Sequence, residues 1–425
     1  MNSHLSEIPS SSQTQTIAPT ATLETTKTQW LNIFMLWFAG IYVAMQFAKF
    51  SASYDQLLTH YQASTSIISI ALSCVGIMGL IFGTVAGVLS GRIGHKKVLL
   101  TSLLIGSLLS WWQSFLPHIE LLVVSRIIEG LSHLGVVVSA PTLIIALSEK
   151  RHQTMLMGLW GSFFGVAFAL MGWLGNPLLE ESGLSQLYQA HALLAVPIFI
   201  YLLLRLPSLK SHSDDSNSKA NPAPSIHQFL TDLTRLYCSF RTLLPGLVFL
   251  FHTSMFVSLL TFIPRLSESE SVRYQLSILL PLISIGGTFL AGLIAQYWLS
   301  PQRLTLISYL GVALFSVLTF SYIDHSVLFF SFANCLLLFS GLVAGSAFAM
   351  IPFLLKSPDQ QAQSNGAVAQ LGNLGATIGP PLFAYALASY DNLGMLILII
   401  SLCLFAMGLA LYGQRYRQTM KGSSA

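Results

Sequence analysis

The chain has 425 residues, of which 53% are apolar or aromatic and only 8% are charged, with a formal net charge of +4. A water-soluble domain carries about 25% charged residues, so most of this surface must meet lipid, which excludes a soluble enzyme. No concentrated basic face marks a nucleic-acid binder. Cys74, Cys238, Cys335 and Cys403 are scattered without metal or redox spacing and read as small core residues.

Residues 1–29 are rich in Ser and Thr, with Lys27 as their single basic residue. They lack the basic start, apolar core and cleavage site of a signal peptide, and a disordered cytoplasmic tail is expected. Beyond it, a helix crossing a hydrocarbon core of about 30 Å needs roughly 20 apolar residues. Twelve stretches qualify, the first six being Trp30–Phe50, Ser66–Ser90, Val98–Phe115, Glu120–Leu147, Met155–Asn176 and Gln189–Leu206. The second six are Thr242–Pro264, Tyr274–Leu299, Leu304–Tyr322, Val327–Leu355, Ser364–Ala388 and Gly394–Gly413.

Lys and Arg fall in every other connection. With the N-terminus inside, one set of loops holds residues such as Arg92, Lys96, Lys97, Lys150, Arg151, Arg205, Arg241, Arg303 and Lys356. The alternate loops hold only Arg265 and Arg273. This is the positive-inside pattern, with both termini cytoplasmic.

A polar linker, residues 207–241, separates a first bundle (30–206) from a second (242–413), and residues 414–425 form a C-terminal tail. Phe229, Leu230, Leu233, Leu236, Tyr237 and Phe240 share one helical face, which suits an interfacial helix or an extension of span seven. The halves echo one another: Ser139-Ala140 matches Ser346-Ala347, and Gly158 and Gly165 match Gly366 and Gly372. A parallel duplication is expected, with a site between the halves near the midplane.

Three motifs bring a family into view. Gly87-Val88-Leu89-Ser90-Gly91-Arg92-Ile93-Gly94-His95-Lys96-Lys97 joins spans two and three, Arg126-x-x-x-Gly130 lies in span four, and Gly372-x-x-Gly375-x-x-x-Gly379-Pro380-Pro381 lies in span eleven. Together they resemble the major facilitator superfamily over Trp30 to Gly413. The resemblance implies an all-α membrane fold of two six-helix bundles related by a pseudo-two-fold axis. It implies secondary transport by alternating access, with the loop Gly87, Gly91, Arg92, Gly94, Lys96 and Lys97 acting at a gate. Where the signature carries Asp this chain has Gly91, which implies an altered lock. No Gly-Pro pair of the drug–proton antiporter type follows Gly158, Gly161 and Gly165 in span five.

Ionisable residues inside a bilayer are costly and mark function or pairing. Arg126, Glu129 and His133 recur at i, i+3 and i+7 on one face of span four, as a structural ion pair or as a proton relay. Tyr42, Gln46 and Lys49 form a similar stripe in span one, either a cavity wall or a lysine snorkelling to the headgroups. His252 lies too deep in span seven to snorkel, and Gln370 and Asn373 either bind substrate or stitch helices.

No nucleotide-binding loop occurs, and no two histidines stand three or four residues apart. Neither ATP-driven transport nor intramembrane catalysis is expected, and no cofactor or metal. The expectation is a monomer in a bacterial inner membrane that moves a small organic solute, anionic or zwitterionic from the excess of Lys49 and Arg126 over Glu129, with the proton as coupling ion. The alternatives are an exporter of drugs, toxic compounds or siderophores, and a sensor without net flux.

Overall fold

The computed structural model describes residues 27–207 and 239–422, and in these it consists of helices joined by short connections, with no strand. The first half contains α1 (Trp30–Ala52), α2 (Tyr54–Tyr61), α3 (Thr65–Ser73), α4 (Gly76–Ile93), α5 (His95–Gln113), α6 (Ile119–Ala146), α7 (Lys150–Gly161), α8 (Phe163–Leu170), α9 (Asn176–Ser182) and α10 (Leu184–Arg205). The second half contains α11 (Phe240–Phe262), α12 (Glu270–Tyr297), α13 (Pro301–Ser321), α14 (Ser326–Leu354) and α15 (Pro358–Gly422). Apolar side chains cover the lipid-facing surface because no water competes there. Ser64, Ser269 and Ser300 each start a span by accepting a backbone N–H of its first turn.

Three expectations need correction, on span two, span five and the start of the chain. Span two is broken, since α3 and α4 meet at 47°. Span five runs from Lys150 to Ser182, well past both expected ends, with a π-turn at Met171–Gly175. The apolar stretch Gln363–Gln414 runs through 52 residues. At about 1.5 Å per residue that is enough to cross twice, and Tyr390 and Asp391, with non-helical dihedrals, turn it back. The helix then continues to Gly422, through the expected tail. The rest of the expected interfacial helix, Phe229–Tyr237, lies outside the described residues, while Phe240 opens α11. Thr28, from the expected disordered tail, bonds to Glu149 and His152.

The two bundles touch through symmetry-related pairs, α3 and α4 against α15, and α8 against α12. These contacts gather towards one end. We call the face carrying Trp30, Ile93, Lys150 and Arg205 the near face, and its opposite the far face. At the far face Arg265 donates to Asp55 Oδ2 (2.9 Å) and to the Ser51 carbonyl (2.7 Å). Ser51 Oγ meets Thr261 Oγ1 (2.8 Å), and Asn176 Nδ2 donates to Ser277 Oγ (3.2 Å). At the near face Gly83, Gly87 and Gly91 of α4, Gly286 and Gly292 of α12 and Gly366 of α15 have open space where a side chain would begin. The halves therefore close a cleft at the far face and leave it open at the near face.

This asymmetry predicts a cross-linking pattern. An Asn176→Cys/Ser277→Cys pair in a cysteine-free background should be joined by a short bifunctional reagent almost quantitatively, whereas Gly91→Cys/Gly366→Cys should not. Equal yields, read as a gel shift after cleavage between the halves, would contradict it.

Candidate functional site

The deepest polar group lies inside the first bundle. Lys49 (α1), Arg126 and Glu129 (both α6) are fully excluded from solvent. An ion removed from water costs several kcal/mol unless paired and hydrogen-bonded, and here every charge is paired. Lys49 Nζ donates to Glu129 Oε1 (2.8 Å), Gln113 Oε1 (2.8 Å) and Ser110 Oγ (3.0 Å). Glu129 Oε2 accepts from Arg126 Nη1 (2.5 Å) and Gln113 Nε2 (2.9 Å). One carboxylate thus bridges two cations.

Arg126 does more than neutralise. The break in span two leaves the last carbonyls of α3 without continuing helical partners. Arg126 Nε donates to the Ala71 carbonyl (2.9 Å) and Nη2 to that of Leu72 (3.1 Å), while the guanidinium lies 4.0 Å above the Phe50 ring. A cation at a helix C-terminus also complements its dipole. Gly130, one turn on, permits the close approach: a Cβ there would stand 2.5 Å from the Val75 carbonyl, inside the break. The pattern Arg126-x-x-x-Gly130 thereby acquires a local reason.

The same break is where the halves meet. Gly76 packs on Thr377 and the Asn373 carbonyl, Gly79 packs on the Asn373 side chain, and Gln370 Nε2 donates to the Leu80 carbonyl (2.9 Å). Gln370 therefore stitches α15 to α4, and Asn373 Nδ2 bonds back to Ala369 of its own helix (2.9 Å). Lys49 does not snorkel, being held inside the bundle. The stripe it shares with Tyr42 and Gln46 faces the bundle interior, where Gln46 Nε2 donates to Ser132 Oγ (3.1 Å), and lines no open wall in this conformation. His133 donates from Nδ1 to the Val43 carbonyl (3.1 Å) and sets its ring against Phe47. His252 stands apart in the second bundle, with Ser340 Oγ 3.2 Å from its Nδ1.

Sequence reasoning passed over Ser110, Gln113 and His191. His191 Nδ1 lies 2.8 Å from Ser110 Oγ, its Nε2 donates to the Tyr42 carbonyl (3.0 Å), and its ring stacks on Tyr42. Span six is expected to begin at Gln189, but α10 begins at Leu184, five residues earlier, so His191 lies well inside the helix. The signal was the apolar run Leu184–Leu187–Tyr188, masked by interspersed Ser and Gln.

The loop from α4 to α5 is tied within its own half. Gly94 breaks α4 from α5 at φ +99°, a conformation that favours glycine. Ser90 Oγ meets His95 Nδ1 (2.8 Å) and Ser139 Oγ (2.8 Å). Lys96 Nζ caps the end of α10 through the carbonyls of Leu203 (3.0 Å) and Leu206 (2.5 Å), and Lys97 is exposed.

Residues 36–380 match the model of the Major Facilitator Superfamily. The chain belongs to this superfamily. Among its superfamily relatives, the class H tetracycline resistance protein of Pasteurella multocida is 25% identical over 360 residues, 80% of this chain and 84% of that one. Among solved structures, the Escherichia coli xylose transporter XylE in a partially occluded inward-open conformation aligns with a TM-score of 0.70, 15% identity, and coverage of 91% of this chain and 97% of that one. A bacterial homologue of the human lysosomal transporter Spinster, inward-facing and occupied, aligns at 0.68, with 11% identity over 91% and 97%. These structures fix the fold. The chain is a multi-pass membrane protein of a transporter superfamily and not an enzyme.

The capping role of Arg126 predicts a penalty for its closest substitute. In Arg126→Lys a single ammonium keeps the charge but lacks the planar fork that reaches a carboxylate and two carbonyls at once. Each charged hydrogen bond lost should cost about 1.5–3 kcal/mol, visible as a lower melting midpoint of the purified protein. An unchanged midpoint would contradict the cap.

Proposed function

We propose that this superfamily member is a proton-coupled secondary transporter working by alternating access, with Glu129 as the proton site. One observation carries the reading: the carboxylate that bridges Lys49 and Arg126 also fixes, through Arg126, the break at which α3–α4 docks on the other half. Protonating Glu129 removes the negative charge between two buried cations. Arg126 then loses its anchor, and the grip on the α3 carbonyls loosens with it. A two-state helix contact biased by one proton is what coupling requires.

The near face is taken as cytoplasmic, since its connections carry Arg92, Lys96, Lys97, Lys150, Arg151, Arg205, Arg241, Arg303 and Lys356. The cleft is then open inward, in keeping with the conformations named for the aligned structures. The membrane is a bacterial inner membrane with both termini on its cytoplasmic side, and the working unit is a monomer. The cargo is a small organic solute. Lys49, Arg126 and Glu129 together carry a formal charge of plus one, which favours an anionic or zwitterionic one. Export of a toxic compound is the second reading, favoured by the likeness to a tetracycline resistance protein along 80% of this chain.

Glu129→Gln tests the coupling. In proteoliposomes it should abolish pH-driven uphill accumulation while preserving exchange of solute for solute. Accumulation at the wild-type level under the same pH gradient would overturn the assignment. The same variant leaves two buried cations uncompensated, so a stability loss of about 3–5 kcal/mol is expected alongside.

A further inference from the structure

The cleft between the halves is walled by aromatic rings, and the charged cluster does not reach it. On the first half Phe164 touches Phe47 (ring centroids 5.6 Å), and Phe163 stacks on Trp160 (4.6 Å) one turn nearer the near face. On the second half His252 stacks on Phe256 (5.3 Å) and lies beside Phe249 (5.4 Å), which meets Phe348 edge-on (5.2 Å). The two walls touch where Phe164 meets Phe256, at 6.3 Å. Towards the near face, among the described residues, no ring pair spans them, and Phe289 of the second half lies against Gly158 of the first. Phe348 is 46% exposed at the open end. The arrangement is a wedge with an aromatic apex at Phe164 and Phe256, flanked by Phe163, backed by the buried Trp160, on one half and by Phe249 and Phe348 on the other.

We infer that this wedge is the substrate site and that its occupant is a planar aromatic carboxylate, with ring faces against Phe163 on one side and Phe249 and Phe348 on the other. The inference rests on the transport reading and adds the cargo's chemistry to it. Ring pairs are worth about 0.5–1.5 kcal/mol beyond the area they bury, a gain that a saturated solute cannot collect. A sugar-like solute would bring many hydroxyls to walls with few free partners, since Thr253 bonds the Phe249 and Leu250 carbonyls of its own helix.

Charge selects further. α7, α8, α11 and α14 contain no Asp or Glu, so a cationic ring would find no counter-charge on these walls. An anion, by contrast, feels the plus-one cluster through a low-dielectric interior. His252 supplies a directional contact: Ser340 Oγ lies 3.2 Å from Nδ1, and in the tautomer that accepts from Ser340 the ring proton sits on Nε2, which has no hydrogen-bond partner among the described residues.

The test is equilibrium dialysis of the purified full-length protein with labelled 1-naphthoate. Cyclohexanecarboxylate serves as the saturated anion and 1-naphthylmethylammonium as the aromatic cation. 1-Naphthoate should bind at least tenfold more tightly than either, and Phe348→Leu, at an exposed position that tolerates the change, should weaken it tenfold. His252→Gln, which keeps an N–H donor, should weaken it less than His252→Leu. Equal binding of the two anions, preference for the ammonium, or no binding of 1-naphthoate would each overturn the inference. Those results leave the coupling role of Glu129 standing, because that role is read from pH-driven flux of whatever solute the protein carries.

Discussion

One carboxylate shared by two cations, in a place water does not reach, sets the terms for this molecule. Lys49 and Arg126 are each too costly to bury alone, and Glu129 offsets both at once. The arrangement leaves no spare anion, so a change at Glu129 must be felt by both cations. Ser110, Gln113 and His191 complete the shell and hold the pair in register between α1, α5, α6 and α10.

The consequence travels along the backbone. Arg126 pins the end of α3 at a bend, and the residues just beyond that bend, Gly76, Gly79 and Leu80, carry the contact with α15. A buried electrostatic group in one bundle is therefore one helical turn from the surface that meets the other. The far-face ties of Arg265, Asp55, Asn176 and Ser277 hold the opposite end of the same interface. The Arg265–Asp55 pair is half open to solvent, Asp55 being exposed and Arg265 largely buried.

Much of this was legible in the sequence, for physical reasons. Lipid as solvent forces about 20 apolar residues per crossing and makes charge placement in loops informative, so the helical class and the two-bundle plan followed directly. Arg126, Glu129 and Lys49 stood out because ionisable groups inside spans are rare. What escaped depended on contacts distant in sequence. The bend at Ser73–Gly76 has no proline to announce it, because it is stabilised by a side chain some 55 residues away. Gln113 and Ser110 are ordinary in a helix end and become meaningful only beside Lys49. Phe163, Phe164 and Phe256 are spaced like lipid-facing residues, and only the packing of two bundles shows them meeting.

The proposed coupling requires that the charge on Glu129, by fixing the α3–α4 break through Arg126, keeps the two halves closed at the far face. It is tested most directly by double electron–electron resonance between spin labels at Gln56 and Glu268, on opposite sides of that face. The account predicts one short distance in the parent protein and a second, longer population in Glu129→Gln under identical conditions. Superimposable distance distributions would contradict it.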